Sequence, residues 1–239
     1  MFLDEQIIQY TALDAWFSSP QGARVAVAFS EELNAMGEHF IGDHLLQMGC
    51  CGENPWLDGL YCRHKWIADP RPVLGKTSVL SSMSLLPIAR DSMDCVIAPL
   101  TMEAIGRHKN PLDEIDRILK PMGFAVFFGV NPCSFWGAAC RWGAFGLNQP
   151  ALLSSFSVKR MMMQRGYRQC AFSSFYYIPP VTHPFLIKNL SFFNEMGKMI
   201  WPFPAGFYCL IVQKYQACSP SLLLDRVKST ARMQPTALA

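Results

Sequence analysis

Residues 86–132 read LPIARDSMDCVIAPLTMEAIGRHKNPLDEIDRILKPMGFAVFFGVNP, and this stretch limits the fold more than any other. Residues 94–98 (DCVIA) are apolar on both faces, as a strand buried inside a parallel sheet must be. Asn110 is a good N-cap and Pro111 a good first helical residue. Leu112, Ile115, Ile118 and Leu119 then recur at helical spacing, with Asp113, Glu114, Asp116 and Arg117 on the wet side. Pro121-Met122-Gly123 ends the helix, and residues 124–130 (FAVFFGV) form a second apolar strand. The order strand, helix, strand predicts a parallel α/β unit.

The flanking sequence extends the pattern. Two helices are expected over residues 6–17 and 24–40, with Ser18-Ser19-Pro20-Gln21-Gly22 as the break. Strands follow over 43–48 (ending at Gly49), 61–68 (ending at Asp69-Pro70) and 78–82. After the second apolar strand come a short helix in the Trp-rich residues 134–142, then a helix over 157–165 capped by Gly166. A strand within 167–178, a helix over 188–200 and a last strand over 207–215 complete the series. From residue 217 the chain is polar, without an apolar period, and reads as a loosely ordered tail. The expected organisation is therefore an N-terminal helical extension (1–40), one α/β domain (41–216) and a tail (217–239).

A chain of 239 residues can bury one substantial core, and 51% hydrophobic against 16% charged residues argues against disorder. A net charge of +3 offers no clustered basic face for nucleic acid. The nine cysteines are odd in number and contain no CxxC pair, and the N-terminus lacks a signal-peptide pattern. Reduced, mostly buried thiols in a cytoplasmic protein are expected. No run of apolar residues is long enough for a membrane span; residues 199–212 are punctuated by Pro202, Pro204 and Gly206.

Three stretches carry a family resemblance. Leu86, Pro87, Asp91, Ser92 and Asp94 occupy the places of the pattern LPF-x-D-x-SFD-x-V. Residues 112–132 are similar to L-x-E-x-x-RVLKPGG-x-L, and Gly49 follows the first strand. Over roughly residues 40–215 the chain resembles class I S-adenosylmethionine (SAM) methyltransferases of the type 11 kind. Residues 131–137 (NPCSFWG) and Cys62-Arg63-His64 also resemble a small bacterial family of atypical methyltransferase-like proteins. The resemblance implies a Rossmann-like fold: a seven-stranded, mostly parallel sheet, helices on both faces, and strand 7 antiparallel between strands 5 and 6. It also implies SAM as cofactor.

Ligands of open α/β sheets bind at the carboxyl ends of the strands. SAM requires close backbone approach after strand 1, an acceptor for the ribose after strand 2, and a polar contact to the adenine after strand 3. The family loop (D/E)-x-G-x-G-x-G is altered here to Gln47-Met48-Gly49-Cys50-Cys51-Gly52-Glu53. Gln47 stands for the acid and Gly49 for the first glycine, Cys51 and Glu53 replace the others, and Gly52 is one place out of register. Glu53, pointing inward, would set a negative charge beside the SAM carboxylate. Asp69, 20 residues after Gly49, is the ribose candidate, with a turn-forming role beside Pro70 as the alternative. Ser82 and Met83 fall at the adenine contact, and Pro99 and Leu100 at the cavity floor. The expected cofactor set is thus Gln47, Gly49, Cys50, Cys51, Gly52, Asp69, Ser82, Met83, Pro99 and Leu100. Residues 49–61, with Pro55 inside, are too short for a full first helix.

No residue announces catalysis. Ala98-Pro99-Leu100-Thr101 stands where amino-methylating enzymes carry Asn/Asp-Pro-Pro-aromatic. The five histidines are scattered, His108 being the one nearest the expected pocket, and no pair has metal-ligand spacing. The aromatics Phe135, Trp136, Trp142, Phe145, Phe175, Tyr176 and Tyr177 fit either a flat, apolar substrate or core packing. Two functions follow: a SAM-dependent methyltransferase acting on a small or lipid-like molecule, or a non-catalytic module retaining the fold. A cleft open beside Gly49, Asp69 and Pro99 favours the first, and a filled one the second.

Overall fold

The computed structural model describes residues 2–36, 42–105, 111–147, 150–180 and 204–215. Seven strands form one sheet in the order β3-β2-β1-β4-β5-β7-β6. They are β1 (Gly42–Met48), β2 (Cys62–Asp69), β3 (Val79–Leu80), β4 (Met93–Pro99), β5 (Leu119–Val130), β6 (Tyr167–Phe175) and β7 (Phe207–Lys214). β1 to β5 run parallel, and β7 lies antiparallel between β5 and β6. This is the Rossmann-like sheet of class I methyltransferases. Helices α1 (Phe2–Phe17), α2 (Pro20–Ala35), α3 (Thr101–Ile105), α4 (Pro111–Ile118), α5 (Phe135–Arg141) and α6 (Ser155–Gln164) accompany it. The helix expected over 188–200, the tail from 217, and Asn110 lie outside the described residues.

Two of the boundaries that differ from the sequence reading have a clear cause. α2 starts at Pro20, because the supposed break is itself a cap: Ser19 Oγ accepts from Gly22 N (3.1 Å), with Pro20 behind it. Gly22 is required there, since a Cβ would overlap the Trp16 carbonyl at the end of α1. α4 ends at Ile118, and Leu119 already pairs with Met93 in the sheet. The segment before β4 takes the free carbonyls of the helix end: Asp91 N donates to Arg117 O (3.0 Å) and Ser92 N to Ile118 O (2.9 Å).

The two motif stretches are joined by side chains. Arg117 donates to the carbonyls of Ile88 (2.7 Å) and Leu86 (2.8 Å), while Glu114 accepts from Leu86 N (2.9 Å) and from Arg117. Between β1 and β2 only a 3-10 turn over Pro55–Leu57 replaces a first helix. Trp56 from that turn and Phe29 from α2 fill the space; Phe29 stacks on Phe128 of β5 with ring centroids 4.3 Å apart. The eight described cysteines are free, five of them buried. No described helix is long and apolar enough to cross a membrane.

Candidate functional site

Gly49 ends β1 with φ +92°, and its N–H donates to Ala68 O (2.7 Å), which holds the loop against β2. Its bare face is covered by the Tyr10 ring of α1: a methyl group added to Gly49 would overlap Tyr10 Cε1. Tyr10 is fully buried. Its hydroxyl lies beside Thr101 but makes no well-formed hydrogen bond, as Thr101 Oγ1 turns to Met48 O (3.3 Å). Burial pushes the phenol pKa well above its usual value.

Gln47, fully buried, spans the loop. Its Nε2 donates to Gly49 O (2.7 Å) and Asn54 Oδ1 (2.6 Å), and its Oε1 accepts from Trp56 Nε1 (2.8 Å). Asn54, in the left-handed region at φ 51°, accepts from Cys51 N (2.9 Å) and donates to Gly52 O (3.2 Å). Gly52 N donates to Asp14 Oδ1 of α1 (2.7 Å). Burial raises the Cys50 and Cys51 thiols, so both are neutral and poor nucleophiles. Glu53 points outward to solvent and pairs with Lys76 (2.9 Å), so it sets no charge against the cleft.

Asp69 at the end of β2 is fully buried. Oδ2 accepts from Cys50 N (2.7 Å) and Arg71 Nη2 (3.0 Å); Oδ1 accepts from Arg71 N (2.8 Å) and Arg71 Nε (2.9 Å). Arg71 reaches on to Asp14 Oδ2 (3.3 Å) and Cys50 O (3.2 Å). Burial alone would lower the Arg71 pKa, but Asp69 and Asp14 hold it above its usual value. After β3, Ser82 Oγ (3.1 Å) and Met83 N (3.0 Å) both donate to Gln6 Oε1 of α1. Pro99 and Leu100 are buried at the end of β4. Leu100 sits at φ 48° with its N–H on Phe128 O (2.9 Å).

The fold thus gathers Gln47, Gly49, Cys50, Cys51, Gly52, Asp69, Ser82, Met83, Pro99 and Leu100 at the carboxyl ends of β1 to β4 and in the loops that follow. Sequence reasoning missed Gln6, Tyr10, Asp14 and Arg71, which fill the same place. One signal was available: four polar groups, Gln6, Gln9, Tyr10 and Asp14, interrupt the apolar face of α1. Glu103 of α3 was missed as well. Oε1 accepts from Val130 N (2.8 Å), Oε2 is buried without a partner among the described residues, and burial raises the carboxyl pKa to about 7. Of the aromatics, Trp136, Phe145, Phe175 and Tyr176 are core residues, whereas Trp142 is 87% exposed. His44 and His64 stack in the first halves of β1 and β2; His39, His108 and His183 lie outside the described residues. Among the described residues no cluster is arranged to hold a metal ion.

No protein-family model matches the chain, and no curated protein matches it in sequence. Solved structures do. A SAM-dependent methyltransferase from Thermotoga maritima superposes with a TM-score of 0.57 at 16% identity, covering 89% of this chain and 98% of that one. A SAM-dependent methyltransferase from Archaeoglobus fulgidus gives 0.53 at 16% identity, with 79% and 94% covered. The geranyl diphosphate C-methyltransferase of Streptomyces coelicolor, solved with Mg2+, geranyl diphosphate and S-adenosylhomocysteine, gives 0.54 at 16% identity, with 80% of each chain covered. The fold is that of the class I SAM-dependent methyltransferases. In the described conformation the groups expected to meet SAM are engaged by the protein itself. The glycine face carries the Tyr10 ring, and Gln47, Asp69, Ser82 and the Met83 N–H already hold protein partners.

Proposed function

We propose that this chain is a methyltransferase-fold binding or partner module whose cofactor cleft is closed by its own N-terminal helix. The observation that carries this reading is the Tyr10 ring packed on Gly49. Gln6 and Asp14 from the same helix reinforce it by binding groups that a cofactor would need. Burying SAM there requires breaking several hydrogen bonds between buried groups, each with a full desolvation penalty if left unmade. Calorimetry of the full chain with SAM and with S-adenosylhomocysteine tests the reading. No binding is expected up to millimolar ligand. Transfer of labelled methyl from SAM to a component of a cell extract, abolished by Gly49→Arg, overturns it.

A second reading is a SAM-dependent methyltransferase acting on a small or lipid-like molecule. It is favoured by Gly49 and Asp69 standing at the ends of β1 and β2, and by folds solved as SAM-dependent enzymes. It requires α1 to leave the cleft before cofactor enters.

A further inference from the structure

The inner face of α1 is unusual for a helix that closes a core. Over its first four turns the buried side chains are Gln6, Gln9, Tyr10 and Leu13, of which only Leu13 is purely apolar, with Ile7, Ala12 and Asp14 half-buried beside them. Among the described residues the Tyr10 hydroxyl has no well-formed hydrogen bond, which makes its burial unfavourable relative to a satisfied group. Leu3 and Ile8 on the other side are 46% and 57% exposed. At its far end the helix is anchored differently. Trp16 and Phe17 enter the aromatic cluster of Phe145, Phe207, Phe29 and Trp56. α2 is held independently by the Phe29–Phe128 stack and by Ser173 Oγ donating to Glu32 (2.6 Å). The first turns of α1 are therefore bound by polar contacts to the cleft, while the corner with α2 is bound by apolar packing.

Those contacts occupy the groups that the resemblance assigns to the cofactor. Gln6 engages the backbone N–H and hydroxyl after β3, where a nucleobase edge would be read. Tyr10 lies on the glycine face, and Asp14 with Arg71 covers the Asp69 carboxylate. We propose that α1 is an intramolecular ligand of the cleft, a displaceable plug that competes with an adenine nucleoside for the same groups. This rests on the closed-cleft reading and adds that the closure is reversible. A plug of this kind lowers apparent affinity by the fraction of molecules in which it is out.

The test uses the full chain and two variants acting in opposite directions. Gln6→Ala with Asp14→Ala removes plug contacts and leaves Trp16 and Phe17 in place; Tyr10→Phe removes the unsatisfied hydroxyl and tightens the plug. Maleimide labelling of Cys50 and Cys51, both fully buried, reports opening. Calorimetry with S-adenosylhomocysteine and with adenosine reports binding. The double variant is expected to label at least about tenfold faster and to bind S-adenosylhomocysteine at least about tenfold tighter than the unaltered chain. Tyr10→Phe is expected to label more slowly and to bind nothing. A folded double variant that labels fast yet binds neither ligand overturns the competition and leaves the closed-module reading standing. Unchanged labelling in that variant overturns the plug itself. If the double variant does not fold, Tyr10→Phe decides, and labelling as fast as in the unaltered chain overturns the proposal. Binding of S-adenosylhomocysteine to the unaltered chain without faster labelling overturns the closed cleft as well.

Discussion

Asp69 and Arg71 grip each other across Pro70: the guanidinium meets both carboxylate oxygens at 2.9 and 3.0 Å, and the Arg71 N–H returns to Oδ1 at 2.8 Å. The geometry is a bidentate ion pair closed by an Asx-type turn, with both partners buried. It makes the aspartate a structural acceptor in this conformation, and it joins β2 to α1 through Asp14. Replacing Asp69 by Asn leaves a buried cation with only the part-exposed Asp14 opposite. A loss of about 3 kcal/mol is expected, read as a lower urea midpoint at unchanged slope.

Gly49→Ala tests the contact with Tyr10. The substituted residue would sit at φ +92° with its methyl in the ring, and a loss of at least about 2 kcal/mol is expected. Part of it should vanish in a Tyr10→Ala background, where only the backbone strain remains. A double-mutant cycle by chemical denaturation should give a coupling of about 1 kcal/mol or more; additive losses would place the ring elsewhere.

Glu103 sets a pH dependence. Its carboxyl rises from 4.5 in the unfolded chain to about 7 when folded, because burial penalises the charged form. The folded state therefore binds more protons between these values, and stability falls as pH rises through that window. Between pH 5 and 8 the contribution lost is about 2–3 kcal/mol. Glu103→Gln should flatten this slope in thermal or urea unfolding; an unchanged slope would assign it to another group.

Arg117 clasps the segment before β4 from the helix α4. Arg117→Met keeps the stem but removes the donors to the Leu86 and Ile88 carbonyls and the pair with Glu114. A loss of about 1–2 kcal/mol is expected, with faster amide exchange at Leu86, whose N–H donates to Glu114.

Most of the sheet could be read from the chain. Residues 94–98 and 124–130 show the two-faced apolar pattern of buried parallel strands, and they pair as β4 and β5 from Cys95 with Phe124 onward. The loop Gln47–Glu53 could be read letter by letter, with Cys51 and Glu53 standing where the resemblance expects glycines. Boundaries were lost where tertiary contacts outrank local signals. Pro121 reads as a helix stop, yet the helix ends at Ile118, where the backbone before β4 captures its carbonyls. The direction of Glu53 was also beyond the sequence, since it depends on Lys76 arriving from a later loop.

Local periodicity, caps and the apolar pattern of residues 86–132 were enough to define a parallel α/β sheet, and the resemblance they carry implied a Rossmann-like one with its cleft at the carboxyl ends of the strands. Whether that cleft is open was decided by side chains far apart in sequence. Gln6 meets Ser82 and Met83, Asp14 meets Gly52 and Arg71, and Tyr10 meets Gly49. A helix that packs beside a sheet and one that enters its cleft carry the same apolar repeat. They differ in the partners of a few polar groups, and only the folded chain brings those partners together, because an unmade hydrogen bond costs most where water is excluded.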